Sequence, residues 1–114
     1  MKRGDMPFED RPDKLPGEFL RKFIDVFGEK GWLNQSFRII HRERKYRIFC
    51  SESQFIAHRI SDPGDMPWGF PCWVVCLITP EQIIEEPDLN AFAGAEPTAR
   101  DWLRCLAEGD FKIL

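Results

Sequence analysis

The stretch Ser36–Cys50, SFRIIHRERKYRIFC, constrains the fold more than any other part of the chain. Two apolar runs, Phe37–His41 and Tyr46–Cys50, flank a charged tip at Arg42–Lys45. Successive side chains on a strand point to opposite faces, so this pattern predicts a β-hairpin with two unlike sides. A four-residue loop at Arg42–Lys45 is expected, because the tip lacks the Asn-Gly or Asp-Gly of a tight primed turn. Pairing across that loop sets His41 opposite Tyr46, Ile39 opposite Ile48 and Phe37 opposite Cys50 on a core face. Arg38, Ile40, Arg42, Lys45, Arg47 and Phe49 then line a second, basic face, with Arg44 at the tip.

The remaining elements are read around this hairpin. Residues 1–14, polar and carrying Pro7 and Pro12, are expected to form a flexible arm, leaving 15–114 as one α+β domain. Phe19, Leu20, Phe23, Ile24 and Phe27 repeat at helical spacing, which predicts a helix over 16–28 with Pro16 in its first turn and Gly28 as its stop. Ser51–Ile60 reads as a short helix, with Ser51 and Gln54 spaced as a capping box. Asp62–Pro71 is rich in Pro and Gly and excludes helix or central strand. Its alternating Met66, Trp68 and Phe70 suit a rigid partner-binding loop. Cys72–Thr79 is nearly all apolar and predicts a strand buried on both faces. Thr79-Pro80-Glu81-Gln82 resembles a helix start, and that helix, running to Glu86, would display Glu81, Glu85 and Glu86, with Asp88 just beyond, as an acidic surface. Another turn of helix is expected at Asp88–Ala93. The last helix is expected over 97–108, with a Thr98/Asp101 capping box and Gly109 as its stop. Phe111 and Ile113 alternate as in a short edge strand. The fold expected is therefore α+β. A three- to four-stranded antiparallel sheet, built on the 37–50 hairpin and strand 72–79, is packed by the 16–28 and 97–108 helices.

Charge divides the chain. Residues 1–61 hold 13 basic and 9 acidic side chains, whereas residues 62–114 hold 3 and 10. That asymmetry predicts a bipolar surface and permits head-to-tail contact between copies, hence a homodimer. The N-terminus has no apolar run behind its positive charges. The longest apolar run, Cys72–Ile78, is far shorter than the ~20 residues of a membrane span. A soluble, cytoplasmic chain without membrane partners is expected.

Specific chemistries find little support. Cys50, Cys72, Cys76 and Cys105 all sit in apolar settings and are expected to be free, buried thiols. Four residues along a strand put Cys72 and Cys76 roughly 13 Å apart, too far to share a zinc ion at ~2.3 Å. No metal or cofactor is expected. His41 is placed at the edge of the core, hydrogen-bonded rather than acting as a base. Nucleophile elbows, zincin motifs, Walker loops and dinucleotide fingerprints are absent, so no catalytic residue is assigned.

The function expected is that of a small acidic, non-enzymatic protein-binding module. It would be an adaptor or inhibitor that occludes a macromolecular partner, in the manner of a bacterial immunity protein or a phage anti-defence factor. Its contact residues would be Arg38, Arg42, Arg44, Lys45, Arg47 and Phe49 on the hairpin, Met66, Trp68 and Phe70 on the loop, and Glu81, Glu85 and Glu86. The alternative is a nucleic-acid-binding regulator that uses the Arg-rich 38–47 ribbon to track phosphates. Acidity over the whole chain weighs against it.

Overall fold

The computed structural model describes residues 15–60, 72–85 and 96–114. The arm expected at 1–14, the loop with Met66, Trp68 and Phe70, Glu86 and the turn expected at Asp88–Ala93 lie outside the described residues.

The first element is helix α1, Pro16–Glu29. It runs one residue beyond Gly28, and the left-handed position falls on Gly31, at φ 78°. Trp32 N–H then reaches Phe27 O at 2.8 Å and Gly31 N–H reaches Gly28 O at 3.1 Å. These two bonds satisfy carbonyls that the helix end would otherwise leave bare. Strands β1 (Ser36–His41), β2 (Arg44–Cys50), β3 (Phe55–Ile60), β4 (Cys72–Ile78) and β5 (Ile83–Glu85) follow, then helix α2 (Ala99–Glu108) and strand β6 (Lys112–Ile113). The six strands form one sheet in the order β5-β4-β3-β2-β1-β6, and every described pairing is antiparallel.

Six strands replace the three or four expected, because two segments read as helices are strands. The first is β3. Ser51 N–H donates to Gln54 O at 2.8 Å, and Ser51 Oγ accepts from Ser53 N at 3.2 Å. The hydroxyl that would cap a helix closes the β2–β3 hairpin loop instead, a choice open to Ser at either kind of site. The second is β5. Thr79 Oγ1 accepts from the N–H groups of Glu81 and Gln82 at 3.2 and 3.1 Å, and Thr79 N–H donates to Gln82 O at 2.9 Å. Thr79–Gln82 is thus a turn, with Pro80 at the position where a fixed φ favours reversal. The β-branched pair Ile83-Ile84 then extends as a strand.

The hairpin at the centre differs from expectation in register. Arg42 and Glu43 alone form its turn, with φ of 55° and 66°. His41 pairs with Arg44, Ile39 with Tyr46 and Phe37 with Ile48. A two-residue turn with both φ values positive matches the twist of the flanking strands, and that advantage prevails without glycine. The register moves by an even step, so both faces keep their residues. Ile39, His41, Tyr46, Ile48 and Cys50 are buried, and Arg38 and Arg47 are exposed. Arg44, however, becomes a strand residue on the core side.

Both helices lie on that core side. Leu20, Phe23 and Phe27 of α1 and Ala99, Trp102, Cys105 and Leu106 of α2 share one cluster with the inward side chains of the sheet. Phe23 stacks on Phe55 at 4.1 Å, and Trp102 meets Tyr46 edge-on at 4.7 Å. A bulge between β3 and β4 buries both Val75 and Cys76. Contrary to expectation, β4 is not buried on both faces: Cys72, Val74 and Leu77 on the far side are only half-buried. Helix α2 starts at Ala99, two residues later than expected, with its capping box as read. Asp101 N–H donates to Thr98 Oγ1 at 3.2 Å, and Thr98 N–H donates to Asp101 Oδ2 at 3.1 Å. Gly109, at φ 78°, ends it. Strand β6 then returns beside β1 as the short edge strand expected of the tail.

Candidate functional site

The sheet has one face under the helices and one without a described helix. Register builds the second face as three rows across the strands. Lys112, Ile40, Lys45, Ile60 and Cys72 form one row. Arg38, Arg47, His58 and Val74 form the middle row. Ser36, Phe49, Ile56, Leu77 and Ile84 form the third. The middle row, with its two guanidiniums, is thus bracketed by rows rich in aliphatic side chains, one of which also carries Lys45 and Lys112. Arg38 and Arg47 are exposed, Ile84 is 38% exposed, and the other apolar members are half-buried.

Arg38 stands directly opposite Arg47. Like charges in that relation repel. Among the described residues neither guanidinium has a carboxylate partner. His58 continues the row on the next strand, and its ordinary pKa is lowered by burial and then by the charge on Arg47. Among the described residues, the charged side chains paired in register with this row or diagonal to it are cations.

Of the hairpin residues singled out from the sequence, Arg38, Lys45, Arg47 and Phe49 share this face. Arg42 is exposed in the turn. Arg44 belongs elsewhere: its Nη1 lies 3.9 Å from Glu96 Oε1 on the helix side. Glu81 is exposed in the β4–β5 turn, whereas the Glu85 carboxylate accepts the Ala99 N–H at the start of α2. A carboxylate there meets free N–H groups and the positive end of the helix dipole. The described acidic residues therefore do not gather into one patch.

Sequence reading missed His58, Ile56 and Ile60, because helical spacing was assigned to Ser51–Ile60. The available signal was the turn-forming run Ser-Glu-Ser-Gln followed by residues that suit a half-buried strand. A second cluster was also missed, on the helix side. Glu96, with a side chain 2% exposed, accepts a hydrogen bond from Tyr46 Oη at 2.8 Å and another from Arg59 Nη1 at 2.6 Å. Burial, then the Glu96 charge, pushes the Tyr46 phenol well above its ordinary pKa. The Arg59 guanidinium lies 5.9 Å from the Tyr46 ring centre and 5.6 Å from that of Trp73. This cluster ties the segment before α2 to β2 and β3.

One pair has the composition of a catalytic dyad. Cys105 Sγ lies 3.5 Å from His41 Nδ1. The geometry does not activate the thiol. His41 Nδ1 donates to Asp110 O at 2.7 Å, so that nitrogen has no lone pair to offer the thiol. Burial first, and then Asp110, push the Cys105 thiol up to about 12. Both residues are buried. They fasten the exit of α2 to the end of β1, in keeping with the core-edge role expected of His41. Among the described residues no three metal-ligating side chains gather, and no helix is long and apolar enough to cross a membrane.

Comparison with protein-family models, with curated proteins and with solved structures finds no match to the chain.

Proposed function

We propose that the protein is a binding module that docks an acidic, partly aliphatic segment of a protein partner on the sheet face opposite α1 and α2, and thereby occludes that partner. The single observation carrying this reading is the opposed pair Arg38 and Arg47, without carboxylate partners among the described residues and flanked by rows rich in aliphatic side chains. Carboxylates laid along the middle row relieve the repulsion and form paired, directional hydrogen bonds with the guanidiniums. Ile56, Leu77 and Ile84 on one side and Ile40 and Ile60 on the other bury the segment's apolar side chains.

Aliphatic character favours protein over nucleic acid. Sequence-tolerant binding of single strands relies on aromatic rings on which bases stack. Phe49 is the one aromatic residue in the three rows, and Trp73 belongs to the other side of β4. The net charge of −3 points the same way.

The test compares the native chain with Arg38→Glu/Arg47→Glu and with Arg21→Glu, a control on the exposed side of α1. A partner cross-linked by the native chain and by the control, but not by the double variant, is the expected result. Its cross-linked peptide should be rich in Asp and Glu. Retention of the same partner by the double variant overturns the reading. Labelled RNA and DNA are titrated in parallel. Tight binding that weakens steeply with salt and needs Arg38 and Arg47 would transfer the face to nucleic acid.

A further inference from the structure

We infer that His58 makes docking on this face proton-coupled: a partner carboxylate meets its Nε2 edge and draws a proton onto the ring, so acidic partners bind more tightly as pH falls. This inference rests on the docking reading above and goes beyond it, because it assigns a pH response and a residue that senses the ligand.

Three features of the geometry support it. His58 sits on β3 in register between Arg47 of β2 and Val74 of β4, inside the cationic row and not at its margin. Its Nδ1 is buried without a hydrogen-bond partner, while the ring as a whole is half-buried, so Nε2 is the edge left to a ligand. The groups facing it all disfavour a charged ring. On β2 these are Arg47 directly opposite and Lys45 and Phe49 on the diagonals, with Arg38 beyond. On β4 they are Val74, Cys72 and Leu77, and on β3 itself Ile56 and Ile60. Among the described residues no carboxylate shares this face near the ring.

The free ring is therefore neutral at physiological pH. A second proton would place a buried N–H without an acceptor and add a cation beside Arg47. A carboxylate at Nε2 opposes the charge cost, although the Nδ1–H stays without an acceptor. It supplies the missing anion, accepts the Nε2–H and raises the ring's affinity for a proton, which is taken up from solvent. By linkage, each unit of pKa rise on binding gives about tenfold tighter binding once the pH is below the free value. The two arginines stay charged throughout, so they supply a constant attraction and His58 supplies the variable part.

Hexaglutamate is the probe, with affinity measured from about pH 8 to about pH 5.5, a range in which His titrates and Glu stays largely ionised. The expected result is affinity that rises severalfold to about tenfold across that range in the native chain. In His58→Gln the pH profile is flat, while dependence on Arg47 persists. NMR titration of the His58 ring in the native chain should show its pKa rising when the peptide is added, and this measurement does not depend on the variant folding. Identical profiles in the native chain and His58→Gln, or a ring pKa unmoved by peptide, overturn the proton coupling and leave docking intact. Absence of hexaglutamate binding at every pH overturns both. His41 is common to both chains, so the difference between them isolates His58.

Discussion

Glu96 shows how much a single side chain holds in this fold. Its carboxylate is buried between the Tyr46 hydroxyl and the Arg59 guanidinium. Replacing it with Gln leaves Arg59 without its counter-ion in a site where water is scarce. Loss of one member of such a pair costs about 3 kcal/mol, whereas Tyr46→Phe, which leaves the ion pair, should cost about 1 kcal/mol. Urea midpoints at unchanged m-value measure both, and equal losses would refute the ordering. The cysteines give a second check. Cys50 and Cys105 are each pushed from the ordinary 9.0 up to about 12, mainly by burial. Both thiols are neutral in the folded chain and lose a proton more readily when it unfolds. Their contribution to stability is complete below pH 9.0 and is lost as pH rises through about 12. Stability should therefore fall with rising pH above 9.0 more steeply in the native chain than in Cys50→Ala/Cys105→Ala. Free thiols in apolar settings were legible in the sequence. Glu96 was not, since its partners lie 50 and 37 residues away and pattern reading sees only near neighbours.

At the scale of elements, legibility followed the strength of periodicity. The apolar stripe of α1, the alternation of β1 and β2, and the Thr98/Asp101 and Gly109 signals of α2 each belong to one kind of structure, and each marks the element that forms. Ser51–Gln54 and Thr79–Gln82 do not, because a hydroxyl accepting from N–H groups two or three residues on closes a turn as well as it caps a helix. Only pairing with neighbouring strands decides between them, and pairing is not written locally. The Arg42–Glu43 turn illustrates the same override. Both residues hold positive φ values that L side chains other than Asn and Asp adopt reluctantly. Changing the pair to Asn-Gly keeps the backbone and removes that strain, which should stabilise the chain by about 1–2 kcal/mol. Thermal unfolding reads the gain. No gain would mean that contacts of Arg42 or Glu43 offset the strain.

Across the whole molecule the charge division of the chain acquires a structural meaning. Three acidic residues from the second half make contacts around the start of α2: Glu85 with Ala99, the buried Glu96 with Tyr46 and Arg59, and the more exposed Asp101 with Thr98 and Arg104. Cations from the first half, Arg38, Lys45 and Arg47, are set on the sheet face away from the helices. The unlike faces were readable from alternation alone. The extension of the basic row to His58 was not, because it needed β3. This arrangement makes a prediction that separates a binding face from a merely solvated one. A solvated face gains nothing by opposing two guanidiniums, so such a pair should be replaceable without loss. Arg38→Glu puts a carboxylate opposite Arg47 and converts repulsion into attraction, a change of about 0.2–1 kcal/mol in favour of the fold. The gain should shrink at high salt, since the pair is exposed. Hexaglutamate binding should fall in the same variant. Greater stability together with weaker binding, read by urea denaturation and by titration of the same preparation, identifies Arg38 as a residue whose unfavourable position in the free sheet serves the ligand. Stability and binding that move in the same direction would assign Arg38 to the fold alone.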